Sequence, residues 1–424
     1  MKKLLTLILV LMLAFAVLAS CGSESETNKN NTNETSSPES AANETTDNTT
    51  NPSETEGEPT NVSPFKIPEK DMRDWVVDYM YKMAEVKWTP ARDMDLTLDS
   101  KGNLVGKTLT FKKGVVYHGL PYINLSTDTD YEDFISSPAL TWNEEKGLYV
   151  YDCPADRSND AALGNDCSSA ILLAYRRFDN NITAFDTGHC FPLGDKTGIY
   201  PLGKMVVGEN DKSTETITNN TPQADHYEAL ALLQKGDTVI WRTTAGHTRM
   251  VIDVHVVRNA QGKIHGSKSY ITTIEQTNAM DAERKDGVNT NWYVEHTYTF
   301  EKLREKFYIP VTCKALSEER VEPEIKVESA NTKKTIATAK TLLGTIESNY
   351  PIISTEIYIK DAEGNVKYTE RYKPHISEIS GSVSLKKFKF NFDMSTLTAG
   401  DYTYSIVVET VCGTGEVYTV NFKK

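Results

Sequence analysis

The sequence predicts an α+β unit over residues 65–315 and an all-β unit over residues 320–424, carried behind an apolar leader and a polar leash. Three observations carry that expectation. Apolar residues recur every three or four positions from Met72 to Val86 and again behind Asp166, the period of buried helices. Aliphatic runs separated by turn residues follow between Thr238 and Thr277, as strands do. Beyond residue 320 the chain consists of short alternating runs and turn signals with no helical period. The length past the leash also exceeds what one typical core accommodates, which favours two folded units.

The leader comes first. Lys2 and Lys3 precede an unbroken apolar run from Leu4 to Leu18. That run suits a signal peptide (residues 1–20) and falls short of the roughly 20 residues that a membrane-spanning helix needs. It ends in Leu18-Ala19-Ser20-Cys21, which resembles the bacterial lipobox of an aliphatic residue, two small ones and cysteine. The resemblance implies cleavage before Cys21, acylation of its thiol, and an extracytoplasmic protein anchored to the cell membrane by lipid. From Gly22 to Pro64 the chain is mostly Ser, Thr, Asn, Glu, Gly and Pro, with no aromatic residue and only Ala41, Ala42 and Val62 as apolar side chains. Such a segment buries too little apolar surface to offset its ordering entropy, so a disordered leash is expected. Removing Lys2 and Lys3 lowers the net charge of −13 by two, and much of the remainder sits in the leash, where nine acidic residues face Lys29 alone. The folded part is only mildly acidic, and nucleic acid is excluded as a partner.

The α+β unit opens with the helix expected from Met72, Trp75, Val76, Tyr79, Met80, Met83 and Val86, whose methionines and aromatics read as core. A second helix is expected behind Asn165-Asp166-Cys167-Ser168-Ser169, where Asn165 or Asp166 can cap it. Ala170, Ile171, Leu173, Ala174, Tyr175 and Phe178 make that helix apolar over most of its circumference, so it belongs at the centre of the unit. A thiol in the first turn faces the positive end of the helix dipole and unpaired backbone N–H groups, which favour a thiolate and can hold an oxyanion. Taken by itself, Cys167 fits a small core residue equally well. Further along, Gly236-Asp237 precedes a strand from Thr238 to Arg242, and Gly246-His247 opens the next. A histidine at the mouth of an aliphatic strand suits a base that meets a thiol across a cleft.

These pieces, in this order, resemble the NlpC-type papain-like cell-wall peptidases and their CHAP amidase relatives. The resemblance covers roughly residues 115–280 and implies a papain-like α+β fold with Cys167 as nucleophile and His247 as base. Gly119-Leu120-Pro121-Tyr122 looks like the family's Gly-x-Pro-Tyr segment, which implies that Tyr122 lines the substrate site beside Asp166 and Ser168. In two places the chain departs from the family. Ser169 stands where glycine is usual, and Tyr122 lies farther from Cys167 than usual, so an insertion is expected. A third residue should orient the imidazole from the returning strand, where Glu275 and Gln276 are adjacent. Alternate residues face opposite sides, so only one of them can point at His247. Glu275 is the carboxylate and fits the CHAP-like pattern, while Gln276 stays open because the NlpC-type pattern tolerates an amide.

Cys153, Cys190, Cys313 and Cys412 remain, and outside the cell a Cys153–Cys190 disulfide within the insertion is the favoured pairing among them. His189 beside Cys190 makes a poor dyad, because neighbours in an extended chain point apart. No Cys-x-x-Cys or His-x-x-x-His spacing occurs, so neither metal nor cofactor is expected. In the last unit, Ile353 to Ile359, the turn Asp361 to Asn365, and the pair Tyr402 to Val408 and Glu416 to Phe422 suggest an antiparallel sandwich of immunoglobulin-like type. It reads as a spacer or as a module for the wall or a protein partner. The expectation for the whole is a lipid-anchored thiol hydrolase acting on amide bonds of peptidoglycan stem peptides. The alternative is a binding or adhesion lipoprotein with a papain-like scaffold and no turnover.

Overall fold

In a computed structural model of the chain, residues 63–95, 109–123, 129–153, 163–284 and 286–424 are described. Cys21, the leader and the leash up to residue 62 lie outside them. Residues 61–424 form one compact unit.

Helix α1 (Met72–Glu85) starts at Asp71, whose carboxylate accepts from Arg73 N–H at 2.7 Å, and buries the face formed by Met72, Val76, Tyr79, Met80 and Met83. The short strands β1 (Lys87–Pro90), β2 (Met94–Asp95), β3 (Thr110–Phe111) and β4 (Tyr117–His118) follow. Next come α2 (Tyr131–Ser136) and the antiparallel pair β5 (Leu140–Asn143) and β6 (Leu148–Tyr151). Helix α3 (Cys167–Arg176) is buried at every residue, in keeping with its nearly continuous apolar sequence. Strand β7 (Ile199–Pro201), helices α4 (Thr214–Asn220) and α5 (Gln223–Ala231), and strands β8 (Thr238–Arg242), β9 (Gly246–His255) and β10 (Tyr270–Gln276) come after it. The unit closes with β11 (Asn289–Thr290), β12 (Trp292–Thr299), α6 (Phe300–Glu305) and β13 (Ile309–Cys313).

Two larger sheets organise these elements, and β2 and β3 pair with each other as a separate antiparallel ribbon. One runs β11-β4-β1-β6-β5; the other is six-stranded and antiparallel, in the order β12-β10-β9-β8-β13-β7. Helix α3 lies against β9 and β10, with α1 packed on α3. The Gly236-Asp237 step ties this arrangement together. Gly236 turns with φ +87°, where a Cβ would press on Val76 of α1. The buried Asp237 carboxylate accepts from Arg73 of α1 (3.0 Å), Thr312 of β13 (2.6 Å) and the N–H of Gln234 (2.8 Å). Tyr175 of α3 donates to the Gly236 carbonyl at 2.5 Å.

The rest of the chain, β14 (Ile325–Glu328), α7 (Lys333–Ile336), β15 (Thr345–Ser348), β16 (Ser354–Asp361), β17 (Val366–Tyr372), β18 (Ser382–Ser384), β19 (Asp401–Thr410) and β20 (Gly413–Lys423), forms two all-antiparallel sheets. Their orders are β14-β15-β18 and β17-β16-β19-β20. Period-2 alternation puts Ile346 and Val383 of the first sheet and Ile357, Ile359, Tyr404, Ile406 and Val408 of the second into one hydrophobic cluster. That cluster is continuous with the core around α1 and α3. The fold is thus mixed α/β with a C-terminal all-antiparallel region.

The described cysteines form no disulfide: Cys153, Cys167, Cys190, Cys313 and Cys412 are all buried thiols. The expected Cys153–Cys190 bridge is therefore corrected. Each sulfur is held locally, Cys190 by the carbonyl of Asp186 at 3.4 Å and Cys153 by the hydroxyl of Tyr151.

Candidate active site

The site is built from the N-terminus of α3, the start of β9 and the end of β10. Asp166 caps α3: its Oδ1 accepts from the N–H groups of Ser168 and Ser169, each at 2.8 Å. The Ser169 hydroxyl returns the bond, accepting from Asp166 N–H at 2.8 Å, and completes a capping box. The residue that departs from the family's glycine thus stabilises the helix start. With those donors taken, the Cys167 N–H has no partner among the described residues and is the first-turn donor beside its own thiol. Thr248 of β9 donates to the Cys167 carbonyl at 2.8 Å and pins the helix start to the strand that carries His247.

His247 lies between two groups. Its Nε2 meets Glu275 Oε2, and its ring lies close enough to the Cys167 thiol for that group to raise its pKa. With Nε2 engaged on Glu275, Nδ1 is the ring nitrogen left for Cys167. Burial works against a charged imidazole here, but Cys167 and Glu275 outweigh it and raise His247 to about 9. Glu275, 1 % exposed, also accepts from Arg249 Nε at 2.8 Å and from the Tyr298 hydroxyl at 2.6 Å. Burial would raise its carboxyl, yet His247 and Arg249 prevail and hold it down at about 2. The arrangement therefore favours a protonated ring beside Cys167, fixed through Nε2 to Glu275.

The structure chooses between the two candidates for the third position. Glu275 faces His247. Gln276 faces the other side of β10, where its Nε2 donates to the Leu120 carbonyl at 2.8 Å, so it does not orient the histidine. Gln276 instead helps fix the Gly119–Tyr122 segment. Trp292 Nε1 donates to the same carbonyl at 2.9 Å, and Trp88 Nε1 donates to the Gly119 carbonyl at 2.7 Å. Gly119 adopts φ +78°, and a Cβ there would collide with the Trp292 indole. Tyr122 emerges from this clamp, bridges to Asn165, and sits close enough to Cys167 and Asp166 that their charge adds to burial in raising its hydroxyl pKa. Tyr122 is thus held beside the residue that precedes the cap of α3. Ser168 differs from the expectation for a substrate-binding residue: it is 3 % exposed, and its hydroxyl donates to Asp166 Oδ1 at 2.8 Å. Asp166 is likewise engaged as the cap.

Four neighbours escaped the sequence reading: Thr248, Arg249, Tyr298 and Tyr308. The Arg249 guanidinium lies over the Tyr298 and Tyr308 rings, at 3.8 and 4.3 Å from their centroids. Tyr308 also comes close enough to feel the charge of Cys167. Arg249 was recognisable as the residue two places after His247 on the same strand, hence on the same face.

His189 and Cys190 diverge as expected: His189 is exposed and pairs with Asp186 at 2.8 Å, while Cys190 is buried. No group of three or more histidine, cysteine or acidic residues among the described residues is placed to hold a metal ion. No family model matches the chain, and no curated protein matches it.

Proposed function

We propose that this chain is a cysteine hydrolase of papain-like type, anchored outside the cell membrane through Cys21, that cleaves amide bonds in peptidoglycan stem peptides. The observation that carries this reading is the Cys167–His247–Glu275 array at the N-terminus of a buried helix. His247 draws the proton from Cys167, and the thiolate attacks the scissile carbonyl. The Cys167 N–H and the helix dipole receive the oxyanion. The imidazolium then protonates the departing amine, and water activated by the neutral ring hydrolyses the thioester. Glu275 keeps the ring aligned and favours its charged form throughout.

The papain-like assignment is supported by a thiol-bearing helix packed on an antiparallel sheet, with histidine and carboxylate on adjacent strands. The substrate rests on the resemblance to cell-wall peptidases and on the lipobox-like leader. The immunoglobulin-like reading of the last unit is supported by its seven antiparallel strands in two sheets. One observation favours the alternative of a binding lipoprotein: Cys167 is only 6 % exposed. Incubating the fragment from residue 63 onward with purified peptidoglycan, beside Cys167→Ala, separates the two. Fragments released by the parent and none by the variant support the hydrolase. Equal release by both, or none by either, overturns it.

A further inference from the structure

A cleft of about 550 Å³ opens beside the triad, walled by Trp241, Arg249, Tyr298 and Tyr308, with Lys302, Lys306, Glu215 and Glu305 at its edge. It does not include Cys167, yet every wall leads back to the reacting groups. Trp241 is the cross-strand partner of His247 in the β8–β9 ladder, so their side chains share one face of the sheet. Arg249 and Tyr298 both bond Glu275, and Tyr308 lies near the thiol. The cleft is therefore on the His247–Glu275 side of the site.

The chemistry of the step says which half of a substrate belongs there. In acyl transfer the imidazolium delivers its proton to the departing amine, so that amine lies against His247 while the acyl half stays on sulfur. The lining then says what the amine half carries. Arg249 uses only Nε on Glu275; among the described residues its two terminal nitrogens have no partner. Its plane is held between two tyrosine rings, so the outer fork is presented in one orientation, the geometry that takes a carboxylate through two bonds. Lys302 pairs with Glu305 at 3.4 Å, whereas the Lys306 ammonium pairs with no carboxylate among the described residues.

We infer that this cleft is the subsite for the leaving-group half of the substrate, and that this half bears a free carboxylate received by the Arg249 fork and Lys306. The inference rests on the hydrolase reading and adds to it a requirement on the amine side of the scissile bond: a flat or aliphatic body against Trp241, and an anion beyond it.

The test uses the fragment from residue 63 onward and the amine-side product it releases from purified peptidoglycan. That product is compared, as its free acid and as its carboxamide, as an inhibitor of turnover. In the parent protein the acid is expected to inhibit about fivefold more tightly than the amide, the scale of one partly exposed ion pair. Lys306→Gln is expected to shrink the difference to less than twofold and to raise KM for peptidoglycan, and Trp241→Ala to weaken both forms alike. Equal inhibition by acid and amide in the parent, or an undiminished difference in Lys306→Gln, overturns the subsite while leaving the hydrolase standing. Absence of any turnover overturns the hydrolase reading itself, and the subsite with it.

Discussion

Glu275→Gln probes the site where its energetics are most concentrated. The carboxylate is 1 % exposed and accepts from His247, Arg249 and Tyr298. The amide keeps one acceptor and offers an NH₂ to the Tyr298 hydroxyl, which can turn to accept it, so the main loss is charge. Arg249, 14 % exposed, is left without its counter-ion. Removing one side of a buried pair costs about 3–5 kcal/mol, and the retained acceptor places the expected loss near 3. With an unfolding entropy of about 2.1 cal/mol/K per residue over residues 61–424, that loss lowers Tm by about 4 °C. The double variant Glu275→Gln/Arg249→Met removes the orphaned cation and should recover most of the Tm. Turnover behaves differently. His247 loses one of the two groups that raise it to about 9, and about 1.4 kcal/mol less support for the imidazolium slows turnover about tenfold. The double variant should not recover this. Thermal melts followed by circular dichroism and initial rates on purified peptidoglycan give both numbers. An unchanged Tm in the single variant, or recovery of turnover together with Tm in the double, would refute the reasoning.

Three other changes test separate parts of the site. In Gly246→Ala the new Cβ would lie 2.1 Å from Thr187 Oγ1, so the 185–190 loop or the start of β9 must shift. A cost of about 1–3 kcal/mol in denaturant unfolding and a marked loss of turnover are expected, and a silent variant would contradict the close packing. Ser169→Ala removes one half of the capping box and should cost about 1 kcal/mol in the same assay, with no loss if the cap does not matter. For pH, His247 is raised to about 9 from 6.5, so its contribution is complete below 6.5 and lost as pH rises through about 9. Glu275 is lowered to about 2 from 4.5, so its contribution is present above 4.5 and lost as pH falls through about 2. The alkaline loss is about 3 kcal/mol at most, since the two shifts describe one shared interaction. Tm curves of the parent and His247→Ala that run parallel from pH 6.5 to 9 would remove its basis.

What was legible in the sequence was what burial imposes locally. Helix α1 and helix α3 could be read because each must hide one face or its whole surface, and strand β8 falls at the expected residues. Cys167 and His247 were legible as a pair because each opens an element, at Asp166 and Gly246. Glu275 and Gln276 could not be separated, because the pleat fixes alternation without saying which face is inward, and β10 pairs β9 with a register shift between Thr272 and Thr273. Tyr298 and Tyr308 were out of reach for a related reason. They arrive from β12 and from the approach to β13, and nothing local in either segment states which strand it will pair with. The Cys153–Cys190 pairing failed because compartment and spacing do not encode where two loops bring their sulfur atoms.

The C-terminal sheets bear on the candidate site through the far end of the helix that carries Cys167. The Arg176 guanidinium, buried at that end, donates to the Ile379 carbonyl at 2.7 Å and to the Ala184 carbonyl at 3.3 Å. Its neighbour Arg177 pairs with the buried Asp130 at 2.6 Å, and Lys373 from the C-terminal region pairs with the same carboxylate. Cations at a helix C-terminus are favoured by the dipole, and here they also bond to groups on both sides. The opposite end of α3 is fixed by its capping box and by Thr248 on the Cys167 carbonyl. Positional error at a nucleophile is costly, since about 1 Å can lose a hundredfold in rate. A loosely tethered spacer would give up the Arg176 bond to Ile379 and the Lys373 pair with Asp130. Whatever these sheets touch outside, their inner edge belongs to the frame that holds Cys167 against His247.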